Sequence, residues 1–388
     1  MIYLDNAATS MQYEEVSLKM LETATKCYGN PSSLHSFGLK AEKLVTESKK
    51  QLADITKANK VIMTASGTEA DNMAIFSYKN RDRSKNRYIT SKVEHPAVLE
   101  SMKKLESEGN EVKYIDVDQN GLMDISRLGE ELNENTALVS VMTVNNETGT
   151  IQPINQIYEL MKQVSPGAVL HTDAVQAFGK MRLDNVKAHM ISISGHKFHG
   201  PKGIGALLLR ENLNLKPLIY GGGQELGVRS GTENTSSIIG MALAANISYD
   251  HLGEVNQRMG EMNSYFTQGL LNEIGDIRIN GALELGYSIE DYGRRSPYIL
   301  NVSFLGTRGE VLLHTLEQDE IFVSTGSACA SNKKGKSHVL SSMGLREKDI
   351  EGAIRFSFSE FNTREEMDIV VDKTKKAVER FRKLGSFR

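Results

Sequence analysis

Short apolar segments alternate with amphipathic ones through the middle of the chain. The apolar segments, which are typical of buried strands, lie at 61–64, 88–90, 112–115, 137–143, 168–172, 190–193 and 205–209. Apolar residues recur at helical spacing in 69–78, 96–108 and 154–164. Strands that alternate with helices predict βαβ units and a mostly parallel sheet. Because ligands bind such sheets at the carboxyl ends of the strands, the residues that follow each strand are the first candidates for a functional site.

The pattern changes after the glycines at 221–223. A mostly helical stretch covers 236–274. The rest of the chain mixes strand-like segments at 299–304, 321–323 and 353–357 with helix-like segments at 309–317 and 363–384. We therefore predict an α/β protein whose domain boundary lies near residue 255.

Composition narrows the class of protein. At roughly 150 residues per domain, the 388 residues correspond to two or three domains. The 46 basic and 49 acidic residues leave a net charge of −3, which argues against direct nucleic-acid binding. The two cysteines, Cys27 and Cys329, form no CxxC motif and no disulfide framework, so we expect a reducing compartment. With neither signal peptide nor membrane-length apolar stretch, we expect a soluble, cytoplasmic protein.

The motif Ser66-Gly67-Thr68-Glu69 follows the strand at 61–64 and opens a helix. A helix amino terminus presents free N–H groups and the positive end of the helix dipole, so it can bind a phosphate. Gly67 would let the anion approach the backbone, and the neighbouring hydroxyls would add donors. The alternative is a capping box formed by Ser66 and Glu69.

Asp173 ends the strand at 168–172, and Gln176 follows it. A carboxylate at the end of a buried strand needs a partner. One candidate is the protonated pyridine nitrogen of a cofactor, with Gln176 reaching the same cofactor from the next turn. A capping box between the two residues is the alternative.

Lys197 follows the strand at 190–193 in a segment rich in glycine and histidine, without a nearby acidic residue on its carboxyl side. A partly buried lysine without a carboxylate partner has a lowered pKa, and its neutral amine can form a Schiff base. His196 and His199 could also bind a metal, but the surrounding glycines and proline disfavour a helix, so we do not predict a metal site.

Two further strands are followed by candidate side chains. His95, after the strand at 88–90, could stack on a cofactor ring or move protons, although a structural role is the more common one. Asn146, after the strand at 137–143, points its amide towards the same crevice or forms a turn. Arg355 lies within the strand at 353–357; it could bind a substrate carboxylate or form a structural salt bridge.

Cys329 lies in a segment of small and polar residues, which indicates a loop. Three lysines follow it within seven positions, and positive charge favours the reactive thiolate. A thiol on such a loop can approach a site and then leave it. An unreactive surface thiol is the alternative, and we interpret Cys27 as structural.

The order of these motifs resembles that of the cysteine desulfurases of the NifS/IscS type, in the class V aminotransferase family of fold-type I pyridoxal-phosphate enzymes. The resemblance covers essentially the whole chain. It rests on residues 3–9, 29–32, 194–197, 200–203, 229–232 and 326–329, which read YLDNAAT, GNPS, SGHK, GPKG, RSGT and GSAC.

The resemblance implies a large cofactor-binding domain, residues 15–255, with a mostly parallel seven-stranded sheet flanked by helices. Residues 1–14 and 256–388 would form a smaller α+β domain that carries the Cys329 loop. Pyridoxal 5′-phosphate would be the cofactor and L-cysteine the substrate. The protein would act as a homodimer with shared active sites.

The resemblance also implies a role for each candidate residue. Lys197 would bind the cofactor covalently and act as acid and base at the substrate Cα. Cys329 would attack the substrate sulfur and carry it as a persulfide, which leaves alanine. His95 would stack on the ring and take the thiol proton. The remaining ligands would be Asp173 for the pyridine nitrogen; Gln176 and Asn146 for the ring hydroxyl; Gly67, Thr68, Ser194, His196 and the partner's Thr232 for the phosphate; and Arg355 with Asn30 for the substrate carboxylate.

Two features differ from many relatives. The segment 332–338 after Cys329 is basic here, and the chain lacks an extended carboxyl-terminal tail. We therefore expect a general sulfur donor whose acceptor is an iron–sulfur scaffold protein or a protein of the tRNA 4-thiouridine synthase type. Selenocysteine lyase, class V aminotransferase and a partner-dependent sulfur-relay subunit are the alternatives.

Overall fold

The computed structural model describes residues 1–78, 85–325 and 336–385. The strands in these ranges are β1 (Ile2–Tyr3), β2 (Lys60–Thr64), β3 (Arg87–Ser91), β4 (Glu111–Ile115), β5 (Thr136–Ser140), β6 (Val169–Asp173), β7 (Met190–Ser194), β8 (Gly205–Leu209), β9 (Ile277–Asn280), β10 (Ile299–Phe304), β11 (Ile321–Phe322) and β12 (Ala353–Ser357). The α-helices are α1 (Glu14–Lys26), α2 (Ser36–Thr56), α3 (Gly67–Phe76), α4 (Pro96–Ser107), α5 (Ile125–Glu131), α6 (Ile154–Val164), α7 (Thr235–Asp250), α8 (Leu252–Glu273), α9 (Gly309–Glu317), α10 (His338–Ser342), α11 (Glu347–Glu351) and α12 (Arg364–Lys383).

The central sheet has seven strands in the order β2-β8-β7-β6-β5-β3-β4. Only β8 runs antiparallel to its neighbours, and the other pairs are parallel. The predicted mostly parallel sheet is therefore confirmed. The chain adds β4 on one side of β3 and β5 on the other, and a crevice forms at the carboxyl ends of strands where the order reverses in this way.

Helices cover both faces of this sheet, which explains the continuous apolar runs of its strands. Successive strand residues point to opposite faces. On β5, for example, Leu138 packs into the core beside α3 and α4, while Val139 packs into the core beside α7. The second face is completed by Ile238 and Met241 of α7.

A second core surrounds the antiparallel sheet β12-β10-β9. Helices α8, α9 and α12 cover it, and Ile2 and Leu4 from the amino terminus pack into it as well. Strand β1 reaches this unit by pairing in parallel with β11. On these grounds we propose that the two cores correspond to the predicted division into 15–255 and 1–14 with 256–388.

Several element predictions were incomplete. The predicted helix at 236–274 is two helices, α7 and α8, which are separated at His251. Helices α1, α2, α5, α10 and α11 and strands β1 and β9 were not predicted. On α2 the buried face includes Gly38, Ser48 and Thr56, so its inward positions do not stand out as apolar. None of the helices in the described parts of the chain is long and apolar enough to cross a membrane.

Candidate cofactor and substrate site

The candidate residues meet at the carboxyl edge of the central sheet. Strands β3, β5, β6 and β7 run parallel, so their carboxyl ends lie together. His95, Asn146, Asp173 and Lys197 follow or end these strands. The polar residues predicted from four separate motifs are thus brought to one crevice.

Lys197 ends a one-turn 3-10 helix, Gly195–Lys197, directly after β7. Its Nζ donates to the carbonyl oxygens of Ala7 (2.6 Å) and Ala8 (2.7 Å). The amino-terminal segment therefore crosses the crevice and holds the amine there. Gly195 is needed at this turn, because a Cβ atom would lie 2.8 Å from the carbonyl oxygen of Pro201.

Asp173 is buried at the end of β6, where its Oδ1 accepts from the N–H of Val175 at 2.9 Å. Burial raises the pKa of Asp173 to about 6, while the Val175 N–H and the positive charge of Lys197 lower it. The side chain of Gln176 does not complete a capping box; its Nε2 donates to the Ala7 carbonyl oxygen at 2.9 Å. Asp173 is thus a buried carboxyl that a cationic partner would ionise.

The turn at Ser66 and Gly67 fits a phosphate. Ser66 caps α3 by accepting from the Glu69 N–H at 3.1 Å, but the Glu69 carboxylate accepts from the Ala65 N–H and from Arg229, so the capping box is incomplete. The buried Oγ of Ser194 has no hydrogen-bond partner within the described parts of the chain.

Gly67 leaves open the space beside that hydroxyl. A Cβ atom at Gly67 would lie 2.8 Å from the Val175 side chain and 3.3 Å from Cβ of Ser194. A helix amino terminus beside an unsatisfied buried hydroxyl is a suitable anion site.

His196 and Thr232, the other predicted phosphate ligands, lie in different surroundings. His196 is half-buried, and its Nδ1 lies 3.2 Å from Oγ1 of Thr9. Burial lowers the pKa of His196 to about 4, helped by the charge of Lys197. Thr232 is exposed and lines a surface cavity of about 160 Å³ with Ala65, next to the phosphate turn.

His95 caps α4, because its Nδ1 accepts from the Ala97 N–H at 3.1 Å. Burial and the positive charge of Lys197 lower the pKa of His95 to about 4. The neutral ring therefore carries its proton on Nε2. Stacking on a cofactor is compatible with this state, whereas taking a proton on Nε2 requires the ring to change tautomer.

Arg355 is buried and already paired. Its Nη2 contacts Asp5 Oδ1 at 2.7 Å, and its Nη1 donates to the Asn146 carbonyl oxygen at 3.0 Å. The salt bridge considered as an alternative is therefore present, and the guanidinium Nε has no partner within the described ranges. Asn30 is exposed and accepts from the Ser32 N–H at 2.9 Å, so its predicted cooperation with Arg355 stays a prediction.

Cys329 lies outside the described residues, but both flanks of residues 326–335 are attached to the crevice. On one side, Ser324 and Arg355 exchange two backbone hydrogen bonds. On the other side, Ser337 Oγ donates to Glu147 Oε2 at 2.5 Å, and His338 Nε2 contacts the Glu94 carbonyl oxygen at 2.9 Å.

Sequence reasoning missed three buried groups at this site. Burial raises the pKa of Glu94 to about 8 and that of Glu147 to about 7. Lys180 is buried near Lys197 and Gln176. The two glutamates could have been found from their positions in the sequence, because Glu94 is next to His95 and Glu147 is next to Asn146.

Comparison with known proteins assigns a family to this geometry. Residues 2–370 match the aminotransferase class-V family. A cysteine desulfurase IscS of Clostridium botulinum is 39% identical, over 99% of this chain and 96% of that protein. A cysteine desulfurase of Trichormus azollae is 40% identical, over 100% of this chain and 95% of that protein.

Solved structures agree with the curated relatives. A NifS-like protein superposes with a TM-score of 0.89 at 34% identity, covering 97% of this chain and 99% of the other. A NifS-like protein of Rickettsia africae superposes with a TM-score of 0.84 at 28% identity, covering 98% of this chain and 99% of the other.

The chain belongs to the aminotransferase class-V family, whose fold is that of the fold-type I pyridoxal-phosphate enzymes. Within that family its relatives are the cysteine desulfurases of the NifS/IscS type, and its function is that of a cysteine desulfurase.

Proposed function

We propose that this protein uses pyridoxal 5′-phosphate to remove sulfur from L-cysteine, and that Cys329 carries the sulfur as a persulfide to an acceptor protein. The observation that carries the proposal is the convergence of Lys197, Asp173 and the unsatisfied Ser194 hydroxyl at one crevice. An amine, a buried carboxyl and an anion site match the aldehyde, the ring nitrogen and the phosphate of this cofactor. When bound, the cofactor supplies an electron sink for the bonds at the substrate Cα.

The cofactor is held by residues from several strands in this proposal. Asp173 would pair with the ring nitrogen, and the amides of Gln176 and Asn146 would bind the ring hydroxyl. The backbone N–H groups at Gly67 and Thr68 would hold the phosphate. Further donors to the phosphate would be the side chains of Ser194, His196 and the partner's Thr232.

The substrate is bound and activated by three groups. Arg355, which Asp5 orients, binds the cysteine carboxylate, with Asn30 as a second donor. Lys197 moves the proton at the substrate Cα. His95 packs on the ring face and takes the thiol proton on Nε2 after its ring has changed tautomer.

Sulfur transfer to Cys329 needs no added oxidant. The Cys329 thiolate forms a bond to the substrate sulfur while the bond between that sulfur and the substrate carbon breaks. The carbon takes up a proton to give L-alanine, and the persulfide stays on Cys329. Attachment of both flanking segments to the crevice, through Ser324 and Ser337, supports a reaction of Cys329 there.

The acceptor and the assembly belong to the proposal as well. Exposed Thr232 lies beside the phosphate turn, which favours a homodimer that completes each site. The basic residues Lys333, Lys334 and Lys336 near Cys329 favour an acidic surface on the acceptor. That acceptor would be either an iron–sulfur scaffold protein or a protein of the tRNA 4-thiouridine synthase type. The absence of a disulfide framework in the sequence favours a cytoplasmic location.

The test is product formation from L-cysteine in the presence of a reducing thiol. The wild type should release alanine and sulfide in equal amounts, and Cys329→Ser should abolish both while keeping the visible absorbance of the bound cofactor. Cys27→Ser is the matched control and should behave as the wild type. Alanine formation that persists in Cys329→Ser would contradict the persulfide role, and transamination without sulfide would favour an aminotransferase.

A further inference from the structure

Lys180 is a buried cation that the reaction above does not use. Its side chain is only 8% exposed, and the charges that act on it are those of two other cations, Lys197 and Arg355. Burial in this setting lowers the pKa of Lys180 to about 7. A buried charge beside like charges costs stability, so the position calls for a reason other than folding.

The hydrogen bonds of Lys180 lead to the cofactor site through one side chain. Its Nζ lies 3.4 Å from Oε1 of Gln176, within hydrogen-bond distance. The Nε2 of the same amide donates to the Ala7 carbonyl oxygen at 2.9 Å, and Lys197 donates to that oxygen as well. Gln176 therefore lies between the buried lysine and the lysine of the site.

These contacts fix which way the Gln176 amide points. If the amide were rotated by half a turn, its NH₂ group would face the Lys180 ammonium, donor against donor. Its oxygen would face the Ala7 carbonyl, acceptor against acceptor. Both contacts are repulsive, so Lys180 and Ala7 together hold the N–H side of the amide towards Lys197.

We propose that Lys180 is a positioning residue that orients the Gln176 amide so that its N–H donates to the ring hydroxyl oxygen of the cofactor. The inference rests on the proposed function, which assigns that oxygen to Gln176 and Asn146. Without Lys180, of these two contacts only the Ala7 carbonyl favours this orientation of the amide. The amide then more often presents its oxygen to the ring hydroxyl oxygen, which is itself electron-rich, and the hydrogen bond to the cofactor is weakened.

The surroundings of Lys180 bear on any pH dependence. Lys180 and Lys197 line a common cavity of about 40 Å³, which has room for water beside them. Glu360 also lines it, but its Oε1 accepts a hydrogen bond from the Tyr13 hydroxyl. The ring of Tyr298 lies 5.6 Å from Lys180 Nζ. The titratable and charged groups that face or act on Lys180 are Tyr13, His196, Lys197, His199, His251, Tyr298, Arg355 and Glu360.

The experiment compares four variants of the full chain: Lys180→Met, Lys180→Gln, Gln176→Leu and the double variant Lys180→Met/Gln176→Leu. Lys187→Met, in an exposed lysine that pairs with Glu159, is the control. Three quantities are measured for each: the melting temperature of the apoprotein, the dissociation constant of pyridoxal 5′-phosphate, and the pH at which the visible absorbance of the bound cofactor changes.

We expect Lys180→Met to weaken cofactor binding about tenfold, equivalent to about 1.4 kcal/mol, and to shift the absorbance titration. Its apoprotein should melt at the wild-type temperature or above it, because a buried charge has been removed. Lys180→Gln keeps a donor and should bind the cofactor nearly as the wild type does. In the Gln176→Leu background, Lys180→Met should have no further effect on binding.

Each opposite result counts against the proposal. Equal cofactor binding and an unchanged titration in Lys180→Met would refute it, and so would an equal loss in both backgrounds. Should Lys180→Met not fold, Lys180→Leu makes the same prediction with another apolar side chain. If wild-type protein develops no visible absorbance with the cofactor, the proposed function itself fails. If the wild type develops that absorbance and Lys180→Met has the same cofactor affinity and the same absorbance titration, only the role of Lys180 fails.

Discussion

Buried ionisable side chains concentrate around the crevice, and burial acts on them in opposite directions. It raises the pKa of the carboxyls, to about 8 for Glu94 and about 7 for Glu147. It lowers the pKa of the histidines, to about 4 for His95 and about 3 for His171. Burial thus favours the neutral form of each group in the folded apoprotein.

These shifts predict how the stability of the apoprotein depends on pH. The stabilisation from Glu94 is complete below about pH 4.5 and is lost as the pH rises through about 8. The stabilisation from His95 is complete above about pH 6.5 and is lost as the pH falls through about 4. Between pH 6.5 and 8 the buried carboxyls make the melting temperature fall as the pH rises. Lys180, whose pKa burial lowers to about 7, opposes this fall above pH 7.

Glu94→Gln removes one of these titrations and keeps the shape of the side chain. We expect it to flatten the fall in melting temperature between pH 6.5 and 8, by about 2–4 °C for each kcal/mol involved. Glu106→Gln, in an exposed residue of α4, is the control and should leave the slope unchanged. A slope that is the same in Glu94→Gln and the wild type would show that Glu94 is ionised throughout this range.

At the scale of elements, the segment that follows the glycines at 221–223 is held by a cation from α2. Lys49 Nζ contacts Glu225 and Glu233, each at 2.8 Å. The other carboxylate oxygen of Glu225 accepts from the Met63 N–H of β2 at 2.9 Å. Glu225 and the next residue, Leu226, both have positive φ angles, 48° and 61°, so these contacts hold a strained turn.

Lys49→Met should therefore loosen the segment that carries Thr232. The substitution leaves two carboxylates close together without their cation. We expect the free energy of unfolding to fall by about 2 kcal/mol, a value between those of exposed and fully buried ion pairs. Cofactor affinity should fall with it. Lys50→Met is the matched control, because Lys50 pairs with Asp54 on the exposed side of the same helix. Equal melting temperatures and equal cofactor affinity for the two variants would contradict the prediction.

At the scale of the whole molecule, large apolar side chains are exposed on both sides of the glycines at 221–223. Tyr220, directly before these glycines, is 82% exposed, and Leu226, in the segment that Lys49 holds, is 66% exposed. Because exposed apolar patches mark interaction surfaces, we propose that these two side chains belong to one. In the proposed homodimer a second copy covers them and receives Thr232 at its phosphate site.

The double variant Tyr220→Asp/Leu226→Asp tests the assembly. Buried carboxylates would disfavour the interface, so the variant should sediment as a monomer and bind the cofactor at least tenfold more weakly than the wild type. Leu283→Asp changes an equally exposed leucine, 72%, between β9 and β10, and should stay dimeric. A wild type that is monomeric at micromolar concentration, or a variant that stays dimeric, would contradict the proposal.

Much of the central sheet could be predicted from local patterns. A buried strand is a short apolar run, and its boundaries were predicted within one to three residues for β2, β5 and β7. The polar residues at the ends of such runs, among them Asp173 and Lys197, could be predicted to lie at one edge of the sheet, because parallel strands end together there. Helix α2 was not, since its buried positions include glycine, serine and threonine.

Sequence by itself determined the main chemical groups that the protein brings to the crevice, because residues such as Asp173 and Lys197 stand at the end of a strand or directly after it. Tertiary structure decided how those groups are held. The carbonyls of Ala7 and Ala8 hold Lys197 from 190 and 189 residues away. Lys180 orients Gln176, and Glu147 holds Ser337. Backbone carbonyls carry no side-chain signature, and contacts between distant segments depend on how the chain packs, so no local pattern predicts them.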